Sequence, residues 1–314
     1  MPAILQVHDL VKHYGEIRAV DHINFHIEQG EIFSLLGPNG AGKTTTISIL
    51  STLIPPTSGD ATIGGFSITR QPDQVRALLG MVPQDIALYD DLTAEENLRF
   101  WGNMYDLSGS LLSQRVADAL QRIGLTDRAK DKVKTFSGGM KRRVNIAAGL
   151  LHQPRLLFMD EPTVGIDPQS RRAILDMVKA LNAEGMTILY TTHYMEEAQE
   201  LSDRVGIIDQ GKLIALGTQA ELTRQVGETD TIVLHVDRQD QYQPVLDAIL
   251  TVPGTLRADS AKDQISVITA DAEEVLAPVI TAATASGARI RSVDIHAPNL
   301  ETVFLHLTGC VLRD

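Results

Sequence analysis

Two short stretches of this 314-residue chain have the composition of phosphate-binding turns. The first is "GPNGAGKTT", residues 37–45. It fits G-x-x-x-x-G-K-[ST], follows the apolar run "EIFSLL" and precedes a helical pattern, which is the context this spacing requires. Gly37, Gly40 and Gly42 let the backbone curl, with Pro38, Asn39, Ala41 and Thr45 completing the loop. Successive N–H groups then point into one cavity at a helix N-terminus, where the β- and γ-phosphates of a nucleotide would sit. Lys43 adds a positive charge there. Thr44 offers a hydroxyl to Mg2+, an ion that takes few protein ligands and keeps most of its waters.

The second stretch is "FSGGMKRRVN", residues 136–145. Ser137, Gly138 and Gly139 combine a hydroxyl, close backbone approach and a following helix, again a cradle for an anion. One bound nucleotide needs only one such cradle, so the second poses the question of whose phosphate it holds. Hydrolysis also needs an acidic site. "RLLFMDEP", residues 155–162, supplies it at the end of a buried strand pattern. Asp160 is placed to hold Mg2+ through water, and Glu161 to orient and polarise an attacking water.

With these motifs the sequence resembles the ATP-binding subunit of an ABC transporter, over about residues 1–225. Further motifs follow in the order that family has them. Tyr14 in "KHYGEIRAV" matches an aromatic that stacks on adenine. Gln84 in "MVPQD" matches the Q-loop, "FSGGM" the signature, Asp167 in "VGID" the D-loop, and His193 in "TTHYMEEA" the switch histidine. Read residue by residue, the resemblance implies that Gln84 contacts the metal or the lytic water, that His193 reaches the γ-phosphate, and that Asp167 faces a second subunit. Met140 and Phe136 depart from the usual glutamine and leucine of the signature. "SGGMKRR" and the ending "APNLETVFLHLTG" resemble the ABC-2 exporter branch of drug-resistance and polysaccharide-export ATPases, in which a small C-terminal domain follows the ATPase.

The family implies more than a site. Its ATPases work as head-to-tail dimers, with ATP and Mg2+ held between the phosphate loop of one subunit and the signature of the other. The expected partners are a second, identical ATPase subunit and a membrane-spanning permease subunit, which places the chain in the cytoplasm, peripheral on the membrane face. The expected function is ATP hydrolysis that powers export. The alternative is a soluble ABC ATPase of the translation or DNA-repair type. The single phosphate loop and the lack of sustained heptads disfavour it.

The elements that must position these residues are those of an α/β protein. "ILQVHDL" and "INFHIE" alternate like half-exposed strands. "EIFSLLG", "RLLFMDE", "TILYTTH" and "VGIID" are continuous apolar runs, as buried parallel strands read. The expected fold is a P-loop NTPase, ABC-type nucleotide-binding domain over residues 1–225: a mixed-sheet core with an inserted helical subdomain at about residues 85–135. Residues 226–314 read as a small α+β domain in the order βαββαβ plus a trailing helix, a ferredoxin-like arrangement. That helix shows an apolar face at Leu300, Val303, Phe304 and Leu307.

Bulk composition bounds the rest. Net charge is −12, of which the last 89 residues hold 13 acidic and 6 basic side chains. A free-standing nucleic-acid binder usually carries a basic face, so no nucleic-acid partner is expected. The single cysteine, Cys310, cannot form an internal disulfide. The N-terminus lacks signal-peptide character, and no apolar run reaches membrane-spanning length.

Overall fold

The computed structural model describes residues 2–226, 230–237, 242–261, 263–296 and 299–308. Cys310, and residues 297, 298 and 309 of the C-terminal motif, lie outside the described residues. The chain divides into two compact units between Thr218 and Gln219.

The first unit is built on a six-stranded sheet. Its strands are β3 (Ile32–Leu36), β6 (Leu79–Val82), β7 (Leu156–Asp160), β8 (Thr187–Thr192), β9 (Arg204–Asp209) and β10 (Lys212–Gly217), in the order β10-β9-β3-β8-β7-β6. All neighbours pair in parallel except β10, which runs antiparallel to β9. Every residue of β3, β7 and β8 is buried, as expected of strands covered on both faces. Alternation assigns their side chains to two cores. Phe33, Leu35, Phe158 and Leu189 face one; Ile32, Leu157, Met159, Ile188 and Tyr190 face the other.

The first of these cores is shared with helix α1 (Lys43–Leu50) and a second, antiparallel sheet. That sheet has the order β2-β1-β4-β5, from β1 (Ala3–Tyr14), β2 (Ile17–Glu28), β4 (Ser58–Ile63) and β5 (Phe66–Ser67). In β2 the inward residues Ile23, Phe25 and Ile27 recur every second position. Phe25 stacks on Phe33 at 5.2 Å and so ties the two sheets together. The other core is closed by α5 (Gly138–Leu150), α6 (Pro168–Ala183) and α7 (Met195–Leu201). Helix α2 (Pro72–Leu78) leads into β6.

Between β6 and β7 the chain is helical, with no strand among the described residues. It holds α3 (Ala94–Met104), α4 (Gly109–Arg122) and two single 3-10 turns before α5. Thr93 and Glu96 form a capping box that starts α3, as the spacing T-x-x-E dictates. Leu98, Leu112, Val116, Leu120 and Val144 form the core of this segment.

The second unit begins with α8 (Gln219–Val226), a helix that the sequence pattern placed before the boundary. It continues as β11 (Asp230–Val236), α9 (Gln243–Leu250), β12 (Thr255–Ala261), β13 (Gln264–Thr269), α10 (Ala272–Ala285), β14 (Ile290–His296) and α11 (Leu300–Thr308). The strands pair antiparallel in the order β12-β13-β11-β14, the order a split βαβ arrangement produces. In α11, Leu300, Val303 and Phe304 are buried while Leu307 is 38% exposed. Its main neighbour is α8, whose Leu222 is fully buried.

Candidate nucleotide site

Four adjacent parallel strands deliver the site. Their register aligns Leu36 with Thr192, Thr191 with Asp160, and Met159 with Val82. The segments leaving β3, β8, β7 and β6 therefore emerge side by side at one edge. They carry the glycine-rich loop, His193, Glu161 and Gln84. The carboxyl ends of parallel strands are where open α/β sheets bind ligands.

The loop after β3 depends on two close approaches. A Cβ on Gly37 would stand 2.2 Å from the Ile208 carbonyl oxygen, and one on Gly42 would stand 2.3 Å from that of Ala19. Gly42 also caps α1 at φ 109°, a conformation that L side chains rarely adopt. Lys43 is 4% exposed. Its Nζ donates to the carbonyls of Gly37 (2.6 Å) and Pro38 (3.0 Å) and pairs with Glu161 Oε1 at 3.0 Å.

Asp160 and Glu161 are held by one threonine that the sequence reading did not single out. Thr191 Oγ1 donates to Asp160 Oδ1 at 2.7 Å and accepts the Glu161 amide at 3.0 Å. No isolated motif marks Thr191; only the pairing of β7 with β8 puts it opposite Asp160. Glu161 has φ 42°, a costly backbone for a side-chain-bearing residue, and four contacts fix it there. They are the two bonds of its amide to Thr191, the Lys43 pair, and His193 Nδ1 at 3.2 Å from Oε2.

Asp160 is 2% exposed, and its carboxyl pKa is pushed up, chiefly by burial. Hydrogen bonds from Thr191 and Thr44 oppose that shift; the latter is 3.4 Å long. A hydroxyl beside a desolvated carboxylate is an oxygen-only donor set, which suits a hard divalent cation. Among the described residues no group of three or more His, Cys, Asp or Glu side chains could hold a metal unaided. A cavity of about 200 Å3 is lined by Ala19, Asn39, Gly40, Gly42, Lys43, Thr44, Thr45, Gln84 and Glu161. The structure thus gathers Lys43, Thr44, Asp160, Glu161, His193 and Gln84.

Other expected site residues lie elsewhere on the first unit. Tyr14 is half exposed beneath Lys12, whose Nζ is 5.3 Å from the ring centre. Ser137 caps α5 by accepting the Met140 amide at 3.2 Å, and neither it nor Gly138 and Gly139 lines the Lys43 cavity. Asp167 caps α6 by accepting the Ser170 amide at 2.9 Å. These two caps are neighbours: a Cβ on Gly139 would stand 2.1 Å from Ser170 Oγ, and one on Gly138 would stand 3.6 Å from Ile166 Cδ1.

A second residue missed from sequence is Glu197. It is 2% exposed and accepts hydroxyl bonds from Thr163 (2.6 Å), Tyr190 (2.9 Å) and Thr192 (2.9 Å). It thereby ties the turn after Glu161 to the end of β8. Burial, then the Glu197 carboxylate, push the Tyr190 hydroxyl well above its usual pKa. The available signal was helical spacing, because Glu197 shares the buried face of α7 with Leu201.

Known proteins share these features. The ABC transporter family model matches residues 20–164. The linearmycin resistance ATP-binding protein LnrL of Bacillus subtilis (strain 168) is 48% identical over 99% of this chain and 100% of its own length. The doxorubicin resistance ATP-binding protein DrrA of Mycobacterium tuberculosis (strain H37Rv) is 40% identical over 94% of this chain and 89% of its own. Among solved structures, a dimeric post-hydrolysis state of the ATP-binding cassette MJ0796, bound to ADP and Pi, superposes with a TM-score of 0.62 at 28% identity. The match covers 68% of this chain and 98% of that one. Identity of 48% and 40% to ATP-binding proteins over nearly the whole chain, together with the family match and the assembled phosphate loop and acidic pair, places this chain in the ABC transporter family as an ATP-binding subunit, an ABC-type ATPase.

Proposed function

We propose that this chain hydrolyses ATP as one of two identical subunits and drives export through a separate membrane-spanning permease. The observation that carries this reading is that Lys43, Thr44, Gln84 and Glu161 line one cavity, with Asp160 bonded to Thr44 and His193 to Glu161, while Ser137 and Gly139 neither line it nor bond to those residues. A cradle that does not line its own subunit's nucleotide cavity is accounted for when it meets the partner's nucleotide.

In this proposal the loop amides and Lys43 bind the β- and γ-phosphates, and Tyr14 stacks on the adenine. Glu161 takes up the proton side of water attack, and His193 steadies Glu161 and reaches the γ-phosphate. Thr44, Asp160 and Gln84 would hold Mg2+, which when bound would neutralise charge on the phosphate oxygens. Ser137 and Gly139 close on the partner's γ-phosphate, and Asp167, beside them, faces the same partner. Hydrolysis removes the bridging contacts and reopens the dimer, an order-and-release switch.

No helix among the described residues is long and apolar enough to cross a membrane, so the substrate path is assigned to a permease on which this chain sits peripherally. Tyr89, Phe100 and Trp101 form an aromatic cluster on and beside α3, with the exposed Met104 one turn further along the helix, a surface suited to receiving a short helix of that permease. The names of the relatives, resistance to linearmycin and to doxorubicin, favour export of a small molecule over a role in translation or repair. The test is purification of the tagged chain from membranes in mild detergent. A stoichiometric membrane-spanning protein is the expected companion. Recovery only from the soluble fraction, without such a partner, overturns the transport assignment.

A further inference from the structure

The remainder of the signature stretch, "KRRVN", has no part in the site described above. Its Arg142 is 3% exposed and pairs with no carboxylate among the described residues. Instead its terminal nitrogens donate to two main-chain carbonyls, those of Pro83 at 2.7 Å and Gln84 at 2.5 Å. One turn on, the buried Asn145 accepts the Ala87 amide at 3.2 Å through Oδ1. These three bonds fall at and on both sides of Gln84, the residue whose segment enters the nucleotide cavity.

The same helix is seated on the strand that leads into Gln84. A Cβ on Gly80 of β6 would stand 2.4 Å from the Gly149 carbonyl oxygen of α5, and one on Gly149 would stand 3.0 Å from that of Met81. Two glycines thus bring the α5 and β6 backbones together, and Arg142 and Asn145 fasten the chain beyond. Desolvating a guanidinium is costly, and here burial pulls the Arg142 pKa down. Such a group persists where it fixes geometry. Bonding to carbonyls rather than side chains, it fixes the path of the backbone itself.

We propose that Arg142 and Asn145 are positioning residues that fasten the Gln84 segment to the signature helix. The side chain at a subunit's own nucleotide and the serine at its partner's then move as one piece. This rests on the assignment of Gln84 to the reacting site. The test pairs amide hydrogen exchange with kinetics in the full-length chain. Arg142→Met and Asn145→Ala are expected to speed exchange across residues 84–88 while leaving β7 and β8 protected. Arg142→Met is expected to lower kcat between about tenfold and about a hundredfold, since small misplacements at a reacting centre cost that much. KM for ATP stays within about twofold, because the phosphate loop is untouched. Added to Gln84→Ala, Arg142→Met lowers kcat no further. Arg142→Lys, which reaches a single carbonyl, falls between. Unchanged exchange at 84–88 in both variants, or full additivity with Gln84→Ala, overturns the proposal. If Gln84→Ala alone leaves kcat intact, the role given to Gln84 fails, and the exchange data by themselves decide the fastening. Asn145→Ala keeps the test decisive if Arg142→Met does not fold.

Discussion

Lys43 Nζ and Glu161 Oε1 stand 3.0 Å apart in a buried ion pair, with His193 Nδ1 3.2 Å from the other Glu161 oxygen. The lysine that should meet phosphate and the acid that should activate water are therefore bound to each other. On the proposed roles, a triphosphate would compete with Glu161 for Lys43. That would release the carboxylate beside His193, where it would act on water, and substrate binding and arming of the base would be one event.

Replacing Glu161 with Gln keeps the shape and a polar contact to His193 but removes the base and the competing charge. Hydrolysis should fall by about 10²- to 10⁴-fold, the usual worth of general acid–base catalysis. ATP affinity, measured by equilibrium binding, should hold or tighten. The variant should run as an ATP-dependent dimer on gel filtration. A variant that stays monomeric at saturating ATP, with binding verified, counts against closure of two copies on ATP alone.

Replacing Lys43 with Met should damage the nucleotide-free protein as well as ATP binding. It strands the Glu161 charge in a site 6% exposed. Removing one partner of a buried pair typically costs about 3–5 kcal/mol. Lys43→Met with Glu161→Gln strands no charge and should regain a large part of that loss. Urea unfolding without nucleotide measures both. Equal stability of Lys43→Met and the double variant would show that the stranded Glu161 charge costs nothing.

The signature should depend on its serine and not on its methionine. Ser137 presents its hydroxyl at the start of α5 and caps that helix. Met140 packs on the helical core instead. Ser137→Arg should abolish turnover and leave ATP binding to the Lys43 cavity intact. Met140→Gln should change kcat by less than about threefold, because the anion cradle is backbone and hydroxyl. ATPase assays beside nucleotide binding separate the two effects. Strong loss in Met140→Gln would move the contact to the side chain.

Much of this was legible in the sequence because the motifs bring their own context. Continuous apolar runs marked β3, β7, β8 and β9, and the phosphate loop, the acidic pair and His193 fall where β3, β7 and β8 end. Less legible were β4, β5 and β10, short strands at or near sheet edges whose half-exposed patterns resemble loops, and β6, an edge strand of only four residues. Helix α8 has the periodicity of any surface helix. What it packs on, α11, lies more than 70 residues later, so its unit could not be read locally. Thr191, Arg142 and Asn145 were invisible for a related reason, and Glu197 showed only its helical spacing. Each acts on a segment brought near only by strand or helix packing.

The boundary makes a sharp truncation test. A chain ending at Thr218 removes the second unit whole and should fold, bind ATP and unfold cooperatively. A chain ending near residue 229 keeps α8 without α11 and uncovers the fully buried Leu222. Exposed apolar helix faces promote association. The longer fragment should therefore aggregate more on light scattering. If both fragments behave alike, α8 is not held by α11.

Asp167 offers a pH test of a helix cap. The Ser170 amide donating to its carboxylate holds its pKa below the usual aspartate value. The folded state thus binds the proton less readily than the unfolded chain, whose aspartates titrate near 3.9, so this stabilisation is present above about pH 4. It is lost as pH falls through the lowered folded value. The melting-temperature gap between the natural chain and Asp167→Ala should be level from neutral pH down to about pH 5 and should close below about pH 4. Asp167→Asn caps without titrating, so its gap to Asp167→Ala should persist into acid. Thermal melts of the three proteins across this range decide it. A gap that widens toward low pH would mean that the charged form of Asp167 is not the one that caps α6.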